Sequence, residues 1–91
     1  MAIWIRRIVD DKSENVLKLA ENIWDIKSQF TIFEKWLKGA PAILATGEGW
    51  IADFGFSLRE DACGGGPIIS LELMEICLKH KITIFLSEYS D

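Results

Sequence analysis

Ninety-one residues, 49% of them apolar and 26% charged, make one globular domain, residues 1–91, with a core near the small end of what folds unaided. No apolar run approaches the roughly 20 residues that a bilayer-spanning helix needs. A formal net charge of −4 disfavours nucleic acid as a direct ligand, because phosphate contacts require lysine and arginine.

Taken in order, Ala2–Val9 reads as an interior strand, since Ile3, Trp4, Ile5, Ile8 and Val9 are apolar toward both faces. Its opening, Met1 to Arg7, lacks the basic-then-apolar order of a signal peptide, so the expected location is cytoplasmic. Asp11 to Glu14 has the form of a capping box. An amphipathic helix is expected to follow it to about Ile26, with Val16, Leu17, Ala20, Ile23 and Trp24 inward.

Residues 27–39 admit two readings. Thr31 and Glu34 suit a second capping box, with Phe33, Trp36 and Leu37 on one helical face and Gly39 as the stop; Gln29–Phe33 also has strand-like composition. Pro41 is expected to open a hairpin of Ala42–Thr46, a Gly47–Gly49 turn and a return strand, Trp50–Leu58. On that return strand Trp50, Ala52, Phe54 and Phe56 share one face. Ile51, Asp53, Gly55 and Ser57 share the other, so Asp53 is expected to face solvent or a partner.

The last third is the most legible. Ser70 suits an N-cap, and Pro67 with the three glycines before it brackets the helix start. Apolar residues cover most of the circumference from Leu71 to Lys79, which predicts a helix packed on more than one side. Ile82–Ser87 alternates with a period of two, as a strand does.

The resulting order, β-α-α-β-β-α-β, predicts an α+β fold of the ferredoxin-like split β-α-β kind: a mainly antiparallel four-stranded sheet, helices on one face, spatial strand order 4-1-3-2. The first and last strands would be central, and aromatic residues on the open face would be available to a protein partner.

No catalytic constellation emerges, so no enzyme is expected. Asp53-Phe54-Gly55 matches a kinase magnesium motif without the remaining kinase parts. Gly64–Gly66 lacks a P-loop lysine and lies beside Glu60 and Asp61. Cys63 and Cys77 are expected as free thiols, and with a single histidine they do not complete an ordinary zinc site; no metal or cofactor is implied. Charge is uneven: residues 41–78 carry Glu48, Asp53, Glu60, Asp61, Glu72 and Glu75 against Arg59 alone, which favours a cationic partner.

Ser57–Ala62, Gly64–Gly66, Ile69–Leu73 and Leu86–Tyr89 together resemble a bacterial domain family in which a glycine-rich loop leads to a Ser-x-Glu-Leu helix and a final strand ending in Tyr. Similar domains occur among immunity proteins of contact-dependent growth inhibition and related polymorphic toxin systems. The resemblance spans about the last 35 residues and carries no catalytic residues with it. It implies a cytoplasmic inhibitor that binds one toxin domain, commonly a cationic nuclease, and occludes its active site. On that reading Glu48, Asp53, Glu60 and Asp61 are the candidate carboxylates that mimic substrate phosphates, and Trp50 or another exposed aromatic is the candidate anchor. Two alternatives stand beside it. One is a small ligand-binding or regulatory domain with an enclosed pocket; the other is an enzyme with dispersed machinery.

Overall fold

The computed structural model describes residues 1–60 and 63–90. Strand β1 (Ile3–Val9) turns directly into β2 (Lys12–Leu19); helix α1 (Ile26–Lys38) and a 3-10 turn (Ala42–Thr46) lead to β3 (Trp50–Ser57); helix α2 (Leu71–His80) connects β3 to β4 (Thr83–Tyr89). The four strands lie in the order β2-β1-β3-β4, with both β1 pairings antiparallel and β3–β4 parallel. Both helices cover one face. Phe30, Phe33 and Leu37 from α1, and Leu73 and Cys77 from α2, join Ile3, Ile5, Trp50, Ala52, Phe54 and Phe56 in a single core. The architecture is therefore α+β, a mixed four-stranded sheet with helices on one face, consistent with a ferredoxin-like β-α-β arrangement. The unit β3-α2-β4 supplies the parallel crossover.

The element order within that architecture differs from the predicted one in three places, each for a physical reason. Residues 12–19 are a strand, not a helix. Asp10 and Asp11 both adopt positive φ (50° and 63°), the conformation of a two-residue type I′ turn, and this folds the chain straight back on β1. The register shifts between Ile5 and Arg6, so that Val16 is an extra residue in β2. Val16 and Leu17 thus both pack toward the core, and the expected alternation is broken into something that mimics a helical stripe.

The second correction is Ala42–Thr46, a 3-10 turn rather than a strand. Strand β3 already has β1 on one side and β4 on the other, which leaves no position for a hairpin partner. The segment instead buries Leu44 and closes with the Thr46 hydroxyl donating to the Ile43 carbonyl at 2.6 Å. The third is spatial order, 2-1-3-4 in place of 4-1-3-2: the last strand is an edge.

Helix α1 resolves the open reading of residues 27–39. Asp25 caps it by accepting from the Ser28 amide at 2.9 Å and the Ser28 hydroxyl at 2.7 Å, and Gly39 ends it. Those bonds, the hydroxyl's first and the amide's second, hold the Asp25 carboxyl below its ordinary pKa. The helix is fixed to the sheet by Phe30 stacked on Phe54 at 4.4 Å and Phe33 edge-on to Phe54 at 5.1 Å. It is also fixed by Gln29. That side chain is fully buried and donates from Nε2 to the carbonyls of Ile23 (2.6 Å) and Gly55 (2.7 Å), while its Oε1 finds no partner.

Helix α2 begins where predicted. The Leu73 amide donates to Ser70 Oγ at 3.0 Å, and the Ser70 hydroxyl donates to Glu34 Oε1 at 2.7 Å. One side chain therefore caps α2 and ties it to α1. Lys38 sits 3.0 Å from both Glu34 and Glu72, a second tie between the helices. The Ser70 hydroxyl foremost, then Lys38, lowers the Glu34 pKa; Glu72, then Glu34, raises that of Lys38. The expectation that α2 packs on more than one side fails. Only Leu73 and Cys77 are buried, while Leu71, Met74 and Leu78 are 76%, 48% and 80% exposed.

Candidate functional site

Among the described residues, no helix or strand covers the face of the sheet opposite the helices. Cross-strand register places Trp4 and Arg6 of β1, Ile51, Asp53 and Gly55 of β3, and Phe85, Ser87 and Tyr89 of β4 on it. At its centre Asp53 is ion-paired with Arg6 (3.3 Å) and accepts from the Ser87 hydroxyl (2.6 Å), so three strands are stitched through one carboxylate. Around this polar knot stand Trp4, beneath the Lys18 ammonium at 4.5 Å from its ring, and the half-exposed rings of Phe85 and Tyr89. Gly55 makes room for one of them. A Cβ there would come within 3.4 Å of the Tyr89 ring and 3.0 Å of Met1 Sδ.

The candidate residues named from the sequence do not come together. Asp53 faces outward from the sheet as expected, but Arg6 neutralises it, and its side chain is only 14% exposed. Glu48 is exposed in the loop before β3, and Glu60 is exposed beyond the far end of the same strand. Eight strand residues at roughly 3.3 Å each separate the two by about 26 Å. Asp61 lies outside the described residues. Trp50 is not an exposed anchor. It belongs to the helix-covered face of β3, is 1% exposed, and spends its indole N–H on the Gly47 carbonyl at 3.1 Å, with the Arg7 guanidinium 5.7 Å from its ring. The face expected for it on β3 is the one observed, and at 1% exposure its ring is not open to a partner in this structure. The aromatic positions on the bare face, Trp4, Phe85 and Tyr89, lie on strands whose faces could be assigned only once strand order was known; Trp24, 47% exposed, lies in the loop before α1.

Glu34 and Ser70 border a groove of about 280 Å³ between α1 and the approach to α2, but their polar atoms are used on each other and on Lys38. Among the described residues no group of three or more His, Cys, Asp or Glu side chains is placed to hold a metal ion. Nor is any helix among them long and apolar enough to cross a membrane. Cys63 is exposed and Cys77 buried, both as free thiols, and burial pushes the Cys77 thiol up from its ordinary pKa. Comparison with protein-family models, with curated proteins and with solved structures returns no match.

Proposed function

We propose that this chain is a protein-binding inhibitor of the immunity type, a cytoplasmic domain that covers a functional surface of a cationic toxin domain, of the nuclease kind, and performs no bond chemistry itself. The observation that carries the reading is the bare sheet face, where Trp4, Phe85 and Tyr89 surround a polar network that is already satisfied within the fold. Such a face offers large, rigid contact area at little cost in side-chain ordering, and its central charges are paired before a partner arrives. The carboxylates take a different part from the one first expected. Spread over both ends of β3, Glu48 and Glu60 suit long-range attraction of a positive partner rather than point-by-point imitation of phosphates.

The test is co-purification with nuclease toxin domains, beginning with any encoded beside this chain, followed by binding kinetics and residual nuclease activity. Trp4→Ala is expected to weaken binding by about tenfold to a hundredfold, mainly by faster dissociation. Glu48→Lys with Glu60→Lys is expected to slow association at low salt and to matter little at high salt. A toxin that binds the Trp4→Ala protein as tightly as wild type, with the fold intact by circular dichroism, would overturn the assignment of the face.

A further inference from the structure

The two edges of the sheet are unlike each other, and the difference points to an occupant. Strand β2 is guarded as a free edge usually is: Lys12, Glu14 and Lys18 are exposed charges along it, and the bulge at Val16 interrupts its row of backbone groups. Strand β4, reading Thr-Ile-Phe-Leu-Ser-Glu-Tyr, has no proline, no lysine and no bulge, pairs with β3 through all seven residues, and carries a single charge, Glu88. Its outer backbone edge has no neighbour among the described residues.

Apolar side chains line this edge above and below. On the helix-covered face, level with Phe54, Leu86 is 55% exposed, and α2 covers the same face. There Leu71, Met74 and Leu78, spaced three and four apart, form one stripe. Glu72 marks the flank of α2 that faces α1, through Lys38, so the stripe is turned the other way, toward the free edge. On the bare side Phe85 and Tyr89 stand on β4 itself.

We propose that β4 and the outer stripe of α2 form an isologous interface with a second copy of this chain. Two β4 strands pair antiparallel about a two-fold axis, giving one continuous eight-stranded sheet, with α2 of each copy against α2 of the other. Area and charge both favour this occupant. Six side chains roughly half to four-fifths exposed, at about 100 Å² each, supply on the order of 600 Å², and the strand edge adds to it; a specific interface covers about 800 Å² per partner. Glu75 and Lys79 border the stripe four residues apart. Antiparallel helices can therefore bring Glu75 of each copy to Lys79 of the other, which makes the patch complementary to itself. The dimer would join two bare faces into one and take up part of Phe85 and Tyr89, so the proposed partner surface would then centre on Trp4 of each copy; the dimer does not depend on that reading.

Sedimentation equilibrium tests this on the intact chain. Wild type, 10.3 kDa per chain, is expected to show twice that mass at tens of micromolar, with β4 amides protected from exchange. Leu71→Asp with Leu78→Asp, and separately Leu86→Lys, should weaken association at least a hundredfold and return the single-chain mass. All three positions are more than half exposed in one chain, so the fold should survive, as circular dichroism would verify. Ile8→Asp, on the central strand β1 and 43% exposed, is the control and should leave the mass doubled. A wild-type chain that stays monomeric to about millimolar concentration overturns the proposal, including the case where its β4 edge accepts only a foreign strand. So does a dimer that persists in both the α2 and β4 variants.

Discussion

Gln29 gives the sharpest test of how this fold is held. It is the only polar residue wholly inside the core among the described residues, and its amide joins α1 to the loop before it and to β3. Replacement by methionine keeps the shape and removes both hydrogen bonds, each worth about 1 kcal/mol net. The Gly55 carbonyl lies in a buried stretch of β3, so losing its donor adds a further desolvation penalty of about 1–3 kcal/mol, whereas the Ile23 carbonyl, in the loop before α1, is only partly buried and can turn to water. Against this, methionine eliminates an acceptor, Oε1, that is orphaned in the wild type and is a penalty of about 1 kcal/mol or more. The balance is a loss of about 2 kcal/mol, a sizeable share of the roughly 5–15 kcal/mol typical of a domain. Urea unfolding followed by tryptophan fluorescence would register it as a midpoint lower by about 1–2 M.

Gln29→Glu discriminates further. It replaces the donor with a carboxylate facing two carbonyls, so it should destabilise more than methionine at pH 7. Burial without a cation raises the folded-state pKa of such a carboxyl above its unfolded value of about 4.3, so the native state holds the extra proton. Stability then falls as pH rises from that unfolded value toward the folded one, and the variant should be most nearly normal in acid. A methionine variant within about 0.5 kcal/mol of wild type, or a glutamate variant whose deficit ignores pH, would refute the reasoning.

Ser70→Ala removes the α2 cap and the Glu34 bond together and should lower stability by about 1–2 kcal/mol at pH 7. Because the folded Glu34 pKa is depressed, its contribution is present above the unfolded value near 4.5 and disappears as pH falls through the folded one; the deficit measured by urea unfolding should therefore narrow in acid. Gly49 has φ +74°, and a Cβ there would lie 3.0 Å from the Ile8 carbonyl oxygen, so Gly49→Ala should lower the melting temperature by several degrees, about 1–2 kcal/mol. A chromogenic disulfide reagent should react fast with one thiol, Cys63, and with Cys77 only on the timescale of unfolding, since Cys77 is buried and its pKa raised; two fast thiols in native buffer would contradict the core assignment.

What the sequence disclosed was local. Ser70 lies three residues from the amide it caps, and the two faces of β3 follow from alternation within eight residues. Both were legible. Strand β2 was not, because Val16 adds a residue and breaks the period of two just where a helical period is the competing pattern. The Asp10-Asp11 pair was the overlooked signal: adjacent aspartates tolerate positive φ in sequence and mark a tight reversal. Asp53 shows the same limit at the candidate site. Its outward face could be inferred, but Arg6 and Ser87, 47 and 34 residues away, reach it only through strand order. Gln29 likewise looks like an ordinary polar helix residue until Gly55 is brought over it.

The dispersal of the carboxylates changes what negative charge can do in recognition without removing it. A substrate-mimicking cluster acts at contact, where several carboxylates within a few ångströms of one another replace phosphates; charges about 26 Å apart, across the length of β3, do not share one such groove. Steering depends instead on the summed field, which falls off over a Debye length of about 8 Å at physiological salt and survives when the charges are spread. Under the proposed function, the net charge of −4 would accelerate encounter while contributing little to residence, which would fall to the bare face, where the central charges are already paired. The ion pairs sharpen this division. Arg6–Asp53, Arg7–Glu14 and Lys38 between Glu34 and Glu72 hold elements of the fold together, so the carboxylates in them are committed internally. Glu48 and Glu60 have no ion pair among the described residues, so under the proposed function they are carboxylates left for a partner. Association rate and dissociation rate should consequently respond to different residues, the first to these glutamates and the second to Trp4.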